Sequence, residues 1–388
     1  MHAILSRSAA LGPTLALALA LALLAACSSA DGAAAGEAPD SGSASASPPT
    51  VTCGVGLTEC GGTCVDEQTD YANCGGCGLA CTTGCVAGTC TTILAGGIGV
   101  VSPAALAVEG TRLYWTDPGM GIIASVPVAG GAASTVMSEE APDPGLGLLA
   151  ADSAHLYWTH APSSAPTATS LMAMPLGGGP AKDLLDLPGI AQLQAVGGDI
   201  YALSPRWIED VLPENPAAAT AVASGIAAPL GAMAQGYSQL FWATDATTEG
   251  GTNGELLTQP AGVEQPVTLA SGIGQCRGLA VALGYVYWTD AAQGLVMKVP
   301  LDGGAATTLA SHQAAPTYLT VDAKGAYFID SGDDTLMKVG LDGGTPVTLA
   351  KGGGAITAMA VDETSLYWAA VPETAGQAMG IVRKTTPR

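Results

Sequence analysis

The stretch Val286-Tyr287-Trp288-Thr289-Asp290 decides the fold. Its aromatic and β-branched residues read as a strand. A short apolar strand, Leu279-Ala280-Val281, precedes it, and a third strand, Leu295-Val296-Met297-Lys298-Val299-Pro300, follows. Next comes Asp302-Gly303-Gly304, whose Asp-Gly step suits the positive φ angles of a tight hairpin. The unit ends on a fourth strand, Thr308-Leu309-Ala310.

The same order recurs along the chain. The other aromatic strands are Leu113-Tyr114-Trp115-Thr116-Asp117, Leu156-Tyr157-Trp158-Thr159-His160 and Ile200-Tyr201-Ala202-Leu203. Leu240-Phe241-Trp242-Ala243-Thr244-Asp245, Ala326-Tyr327-Phe328-Ile329-Asp330 and Leu366-Tyr367-Trp368-Ala369 complete the set. Successive spacings are 43, 44, 40, 46, 40 and 40 residues, the period of a four-stranded propeller blade. Fourth-strand segments occur at Thr92-Ile93-Leu94-Ala95, Thr135-Val136-Met137, Asp183-Leu184-Leu185 and Ala221-Val222-Ala223, and three more begin at Val267, Thr307 and Val347. The first precedes any aromatic strand, while the last unit stops at a third strand, Ile381-Val382-Arg383-Lys384. The N-terminal strand is therefore expected to complete the C-terminal blade and close the ring, removing exposed edges. The expectation is an all-β, seven-bladed β-propeller, with six blades as the alternative count.

These aromatic strands resemble the YWTD repeats of β-propellers of the low-density-lipoprotein-receptor type, over residues 92–385. Receptor-type YWTD domains have six blades, so their ligand geometry does not carry over to seven. The Tyr and Trp of each strand are expected to pack within and between blades, and the following Asp to satisfy turn amides. Met297 and Met337 are expected in the core by their period-two alternation.

The N-terminus carries an address. Arg7 precedes an apolar run from Ala9 to Ala22, too short to span a bilayer, as in a secretory signal peptide. Leu24-Ala25-Ala26-Cys27 resembles the lipobox of bacterial lipoproteins, which implies cleavage before Cys27 and a diacylglycerol thioether on its sulfur. Ser28, where an aspartate would mark inner-membrane retention, implies the outer membrane, facing periplasm or exterior. The expected organisation is a signal peptide at 1–26, a lipidated Ala/Ser/Gly/Pro tether at 27–51, a cysteine-rich module at 52–91 and the propeller at 92–388. No later segment has the eighteen apolar residues of a membrane helix, so the lipid is the expected membrane attachment. The chain has 12 Lys+Arg against 33 Asp+Glu, a balance that argues against nucleic acid and anionic membrane surfaces as partners.

Cys53, Cys60, Cys64, Cys74, Cys77, Cys81, Cys85 and Cys90 lie within 38 residues. An even count in an exported chain reads as four disulfides, which stabilise a segment too small to bury a core. Cys74-x-x-Cys77 and Cys81-x-x-x-Cys85 raise zinc as the rival, weakened by the absence of a nearby His. The wording Cys60-Gly-Gly-Thr-Cys64 through Asn73-Cys74-Gly-Gly-Cys77 resembles a cysteine-rich module of exported bacterial surface proteins. Spacing leaves the connectivity open among 105 pairings.

Catalytic signals are weak. His155, His160 and His312 show no triad order or metal-ligand spacing, and the glycine runs lack a phosphate-loop context. Cys276 reads as a buried, inert thiol near the central channel. The expectation is no catalytic residue, no metal and no cofactor. The loops after the aromatic strands open on one face and are long in blades 2, 3 and 4, at about 161–169, 204–216 and 245–254. Blade 3 lacks the strand Trp and carries one in Pro205-Arg206-Trp207-Ile208-Glu209-Asp210, an aromatic beside an arginine. Arg206, Trp207, Glu209 and Asp210 are the candidate binding residues. The resulting expectation is a surface-displayed, lipid-anchored binding or scaffold protein that contacts a protein or polysaccharide. The alternative is a propeller hydrolase or lyase, of which seven-bladed streptogramin lyases are one kind. Such an enzyme needs His or carboxylates converging on the channel.

Overall fold

The computed structural model describes residues 52–81, 84–96, 100–139, 142, 145–161, 169–223, 230–248, 250–259, 265–351, 353–372 and 380–386. The expected signal peptide, Cys27 and the tether lie outside these residues, as does most of the loop expected at 161–169.

Sulfur replaces a hydrophobic core in the first described segment. Its apolar side chains point outward: Val55, Leu57, Tyr71, Leu79 and Val86 are exposed, while Cys74 is fully buried. Disulfides join Cys53 to Cys64, Cys60 to Cys77, Cys74 to Cys85 and Cys81 to Cys90. Thr58–Cys60 (β1) and Thr63–Val65 (β2) form a hairpin, and Cys85–Val86 (β3) pairs with the start of Thr89–Gly96 (β4).

Seven four-stranded units follow. Blade 1 is Ala105–Glu109 (β5), Arg112–Asp117 (β6), Ile122–Pro127 (β7) and Ser134–Ser138 (β8). Blade 2 is Leu146–Ala151 (β9), His155–His160 (β10), Thr169–Pro175 (β11) and Lys182–Leu187 (β12). Blade 3 is Gln192–Val196 (β13), Asp199–Ser204 (β14), Trp207–Val211 (β15) and Thr220–Ala223 (β16). Blade 4 is Leu230–Gly236 (β17), Gln239–Thr244 (β18), Gly254–Gln259 (β19) and Val267–Ile273 (β20). Blade 5 is Cys276–Ala282 (β21), Tyr285–Asp290 (β22), Leu295–Pro300 (β23) and Thr307–Ala310 (β24). Blade 6 is Pro316–Asp322 (β25), Gly325–Asp330 (β26), Thr335–Val339 (β27) and Val347–Lys351 (β28). Blade 7 takes Gly354–Val361 (β29), Leu366–Pro372 (β30) and Ile381–Thr386 (β31) from the C-terminal end and β4 from the N-terminal end. Val382 pairs with Ala95 and Lys384 with Thr92, so the ring closes as expected. Because Cys90 pairs with both Cys85 and Thr386, one continuous strand joins the disulfide segment to the last blade.

Period-two alternation explains the packing. It sends Tyr and Trp of each aromatic strand to opposite faces of the sheet. Each junction between blades then holds one buried apolar cluster. Tyr114 of blade 1 packs in a cluster with Trp158 of blade 2, Tyr327 with Trp368, and Tyr367 with Trp115 across the closure. Where blade 3 has Ala202 in place of Trp, Tyr157 meets Ile200 and Val211 instead. At the opposite strand end, Tyr hydroxyls donate to an aspartate five residues earlier: Tyr157 to Asp152 at 2.9 Å and Tyr367 to Asp362 at 2.6 Å. Burial, reinforced by that carboxylate, pushes the pKa of both phenols up.

One expectation needs correction. The chain at 204–216 is not a long loop. Ser204 pairs directly with Trp207, leaving Pro205-Arg206 as a two-residue turn, and Trp207–Val211 is the third strand of blade 3. Ile208 and Val211 are fully buried, and this burial holds the segment in the sheet. The longer connection comes afterwards, through a 3-10 turn at Pro216–Ala218.

Candidate functional site

The aspartates that end the aromatic strands are mostly structural. Asp117 accepts hydrogen bonds from the backbone N–H groups of Val101 (2.7 Å) and Ser102 (3.0 Å), which lead into the innermost strand of its own blade. Asp290 accepts from the N–H groups of Gly274 (2.7 Å) and Gln275 (3.1 Å), and from the side-chain amide of Gln293 (2.6 Å). Asp330 accepts from Ala314 N–H at 2.9 Å.

Asp245 reaches across to the next blade. Its Oδ1 accepts from the N–H of Cys276 at 2.8 Å, and its Oδ2 pairs with Arg277 Nη1 at 2.6 Å. Arg277 Nη1 also donates to the Cys276 carbonyl at 3.0 Å. Among the described residues, all of its hydrogen bonds pass through Nη1; Nε and Nη2 make none. Gly231 makes room for this crossing, because a Cβ there would collide with Asp245 Oδ1 and with the Cys276 carbonyl.

Bulges in the innermost strands take three residues out of the ladder register, and two of them, Arg277 and Tyr318, line the channel cavity. The pairing of β21 with β22 skips Arg277, that of β25 with β26 skips Tyr318, and that of β29 with β30 skips Thr357. Tyr318 adopts φ +43°, a left-handed backbone that is uncommon for a bulky residue. Its hydroxyl donates to the Thr357 carbonyl at 2.7 Å, and the Thr357 hydroxyl donates to the Pro103 carbonyl of blade 1 at 2.6 Å. Burial raises the Tyr318 pKa, while 41% of its surface stays open to the channel. Gly278 lets the strands carrying Arg277 and Tyr318 approach, since a Cβ would lie 2.8 Å from the Tyr318 carbonyl carbon.

A cavity of about 540 Å³ occupies this end of the channel. Asp245, Arg277, Gln192, Thr317 and Tyr318 form its polar wall, and Leu148, Leu230, Leu279 and Leu319 its apolar one. Gln192 is fixed by two bonds to the backbone of Met233, at 2.8 and 2.9 Å, and clasps blades 3 and 4 together. Cys276 sits in the wall behind the ion pair. It is fully buried, and burial, with Asp245 nearby, pushes its thiol pKa up, as expected of an inert cysteine.

The residues singled out in blade 3 are separated. Arg206 is exposed on the turn, at the same end of the blades as the cavity. Trp207 is half-buried, and its indole N–H has no hydrogen-bond partner. Burial raises the Glu209 pKa. Burial and the nearby Asp199 push Asp210 up to about 6, and its Oδ1 is likewise buried without a partner. His155 stands at the other strand end, its ring 5.8 Å from that of Tyr157. Neither His155 nor His160 lines the channel cavity. Arg277 and Tyr318 escaped the sequence reading; their signal is a bulky residue interrupting the small-residue run of an innermost strand.

No protein-family model matches the chain, and no curated protein is significantly similar to it. Solved structures are similar in architecture. A streptogramin B lyase aligns with TM-score 0.57 at 11% identity, covering 77% of this chain and 98% of the lyase. A prolyl endopeptidase aligns at 0.55 and 14% identity, covering 74% of this chain and 50% of that one. The computationally designed Ika8 protein aligns at 0.52 and 15% identity, covering 72% and 83%. The likeness is one of fold alone.

Proposed function

We propose that the chain is an exported, lipid-anchored binding protein that presents the channel end of its propeller to a protein or glycan ligand. The observation that carries this reading is the cavity itself. Among the described residues, it joins an apolar wall to a guanidinium with an unused edge, and its only ionisable side chains are Asp245, Arg277 and Tyr318. Each of these is already held by a neighbour, which suits recognition better than proton transfer. Arg206, exposed at the same end of the blades, extends the contact surface toward blade 3. Four disulfides fit an exported chain, and among the described residues no helix is long and apolar enough to cross a membrane. Attachment then falls to Cys27, whose sequence context resembles a lipobox.

Two measurements test this. Metabolic labelling with palmitate is expected to mark the full chain and to fail for Cys27→Ala; an unlabelled wild type would remove the anchor. Arrayed glycans and peptides incubated with the purified full chain are expected to retain it without turnover. Release of a cleaved product would favour the hydrolase or lyase alternative, which rests on the fold shared with a streptogramin B lyase.

A further inference from the structure

We propose that the channel cavity is a specific site for a monocarboxylate with an apolar body, held end-on by Arg277. This rests on the binding reading above and names the chemistry its channel recognises.

Three observations converge. First, Arg277 lines the cavity with its side chain 38% exposed, and among the described residues only its Nη1 is engaged. The Nε and Nη2 edge matches the two oxygens of a carboxylate in the fork geometry that makes such pairs strong. Second, Asp245 is 11% exposed and fixes the guanidinium from behind through Nη1. The ligand therefore meets an arginine whose conformational freedom is already restricted, which lowers the entropic penalty of binding. Third, Tyr318 holds an unfavourable φ of +43° while its hydroxyl is tied to Thr357. Packing must maintain that strain, and strain of this kind clusters at binding sites. It sets Tyr318 in a cavity wall that Leu148, Leu230 and Leu319 also line.

Size and charge narrow the ligand. A volume of about 540 Å³ falls in the small-molecule range. Asp245 already offsets the Arg277 charge, so the free guanidinium edge offers two donors to one carboxylate and no surplus charge for a second. With 33 acidic against 12 basic residues the chain also repels a dianion such as a phosphate monoester. The ligand is thus a singly charged acid whose carbon skeleton rests on leucine and tyrosine. A free fatty or aromatic acid and the C-terminus of an apolar peptide share this chemistry.

The test is titration calorimetry of the purified full chain with 4-phenylbutanoate and its amide, and with an apolar pentapeptide bearing a free or an amidated C-terminus. The carboxylate forms are expected to bind, and the amides to bind at least tenfold more weakly. Arg277→Gln should lose the carboxylate preference. Asp245→Asn, which keeps an acceptor for the Cys276 N–H but removes the competing charge, should tighten carboxylate binding severalfold. Arg112→Gln, at the start of β6 where the guanidinium bonds Ser125 and Ser134 of the two outer strands of blade 1, should bind like wild type. The acid and peptide arms separate the two sources of ligand. Equal binding of acid and amide, no binding to wild type, or an Arg277→Gln chain that keeps the preference would each overturn the proposal. Thermal melts identify any variant that fails to fold, and Asp245→Asn then decides alone. If the probes fail while arrayed glycans or proteins are still retained, the inference falls and the wider binding reading stands.

Discussion

Asp245 and Asp290 occupy the same place at the ends of neighbouring aromatic strands, yet they do different work. Asp290 turns back to its own blade and satisfies the N–H groups of Gly274, Gln275 and Gln293. Among the described residues, Asp245 turns forward to the next blade and holds one N–H and one guanidinium at the rim of a cavity. In blades 4 and 5 the repeat thus places a carboxylate at the same position, and the residue in the following bulge differs in what it offers that carboxylate. In blade 5 that residue is Arg277; in blade 6 it is Tyr318, which no such aspartate engages.

Substitutions can break this contrast. The largest effect is expected for Asp290→Ala, which strands several backbone and amide donors around a buried carboxylate site. At about 1–3 kcal/mol for each buried donor left unsatisfied, the variant should lose about 3 kcal/mol in urea melts. Asp245→Ala should cost less, about 1–2 kcal/mol, because the released Arg277 can turn to solvent in the cavity. A loss for Asp245→Ala equal to that for Asp290→Ala would mean that both carboxylates are simply turn ligands. Gly231→Ala should approach the effect of Asp245→Ala and also alter ligand binding, since its Cβ occupies the place of Asp245 Oδ1.

The smallest effect belongs to a third carboxylate, Asp210, which has neither turn amides nor a guanidinium in its place. Its folded pKa of about 6 lies above the ordinary aspartate value, so the folded chain binds the proton more tightly than the unfolded chain does. Its contribution to stability is complete at low pH and is lost as pH rises from about 4 through about 6. Asp210→Asn should therefore melt like wild type near pH 4 and be more stable by about 1 kcal/mol at pH 7.5, after allowance for partial exposure. A stability difference that does not change with pH would contradict the assignment.

The aromatic strands made the ring legible because Tyr and Trp recur at a blade's length and alternate between two faces. The closing strand was legible for a related reason: Thr92-Ile93-Leu94-Ala95 is a fourth strand with no blade before it. From the sequence Trp207 reads as a loop aromatic because blade 3 lacks the Trp of its second strand. Its neighbours Ile208 and Val211 carry the burial that makes Trp207–Val211 a strand. The pairing of Asp152 with Tyr157 and of Asp362 with Tyr367 could have been found from its five-residue spacing. The Asp245–Arg277 contact could not. It depends on a bulge that removes Arg277 from register and on the absence of a side chain at Gly231, and no local pattern carries either.

The central claim concerns which sector of the propeller face recognises a ligand. The direct measurement is a parallel titration of 4-phenylbutanoate into three full-length chains: wild type, Arg277→Gln, and the double variant Arg206→Ala/Trp207→Ala. Binding that is lost in Arg277→Gln and unchanged in the double variant is the predicted result. Binding lost in the double variant but kept in Arg277→Gln would move the site to blade 3 and contradict the account.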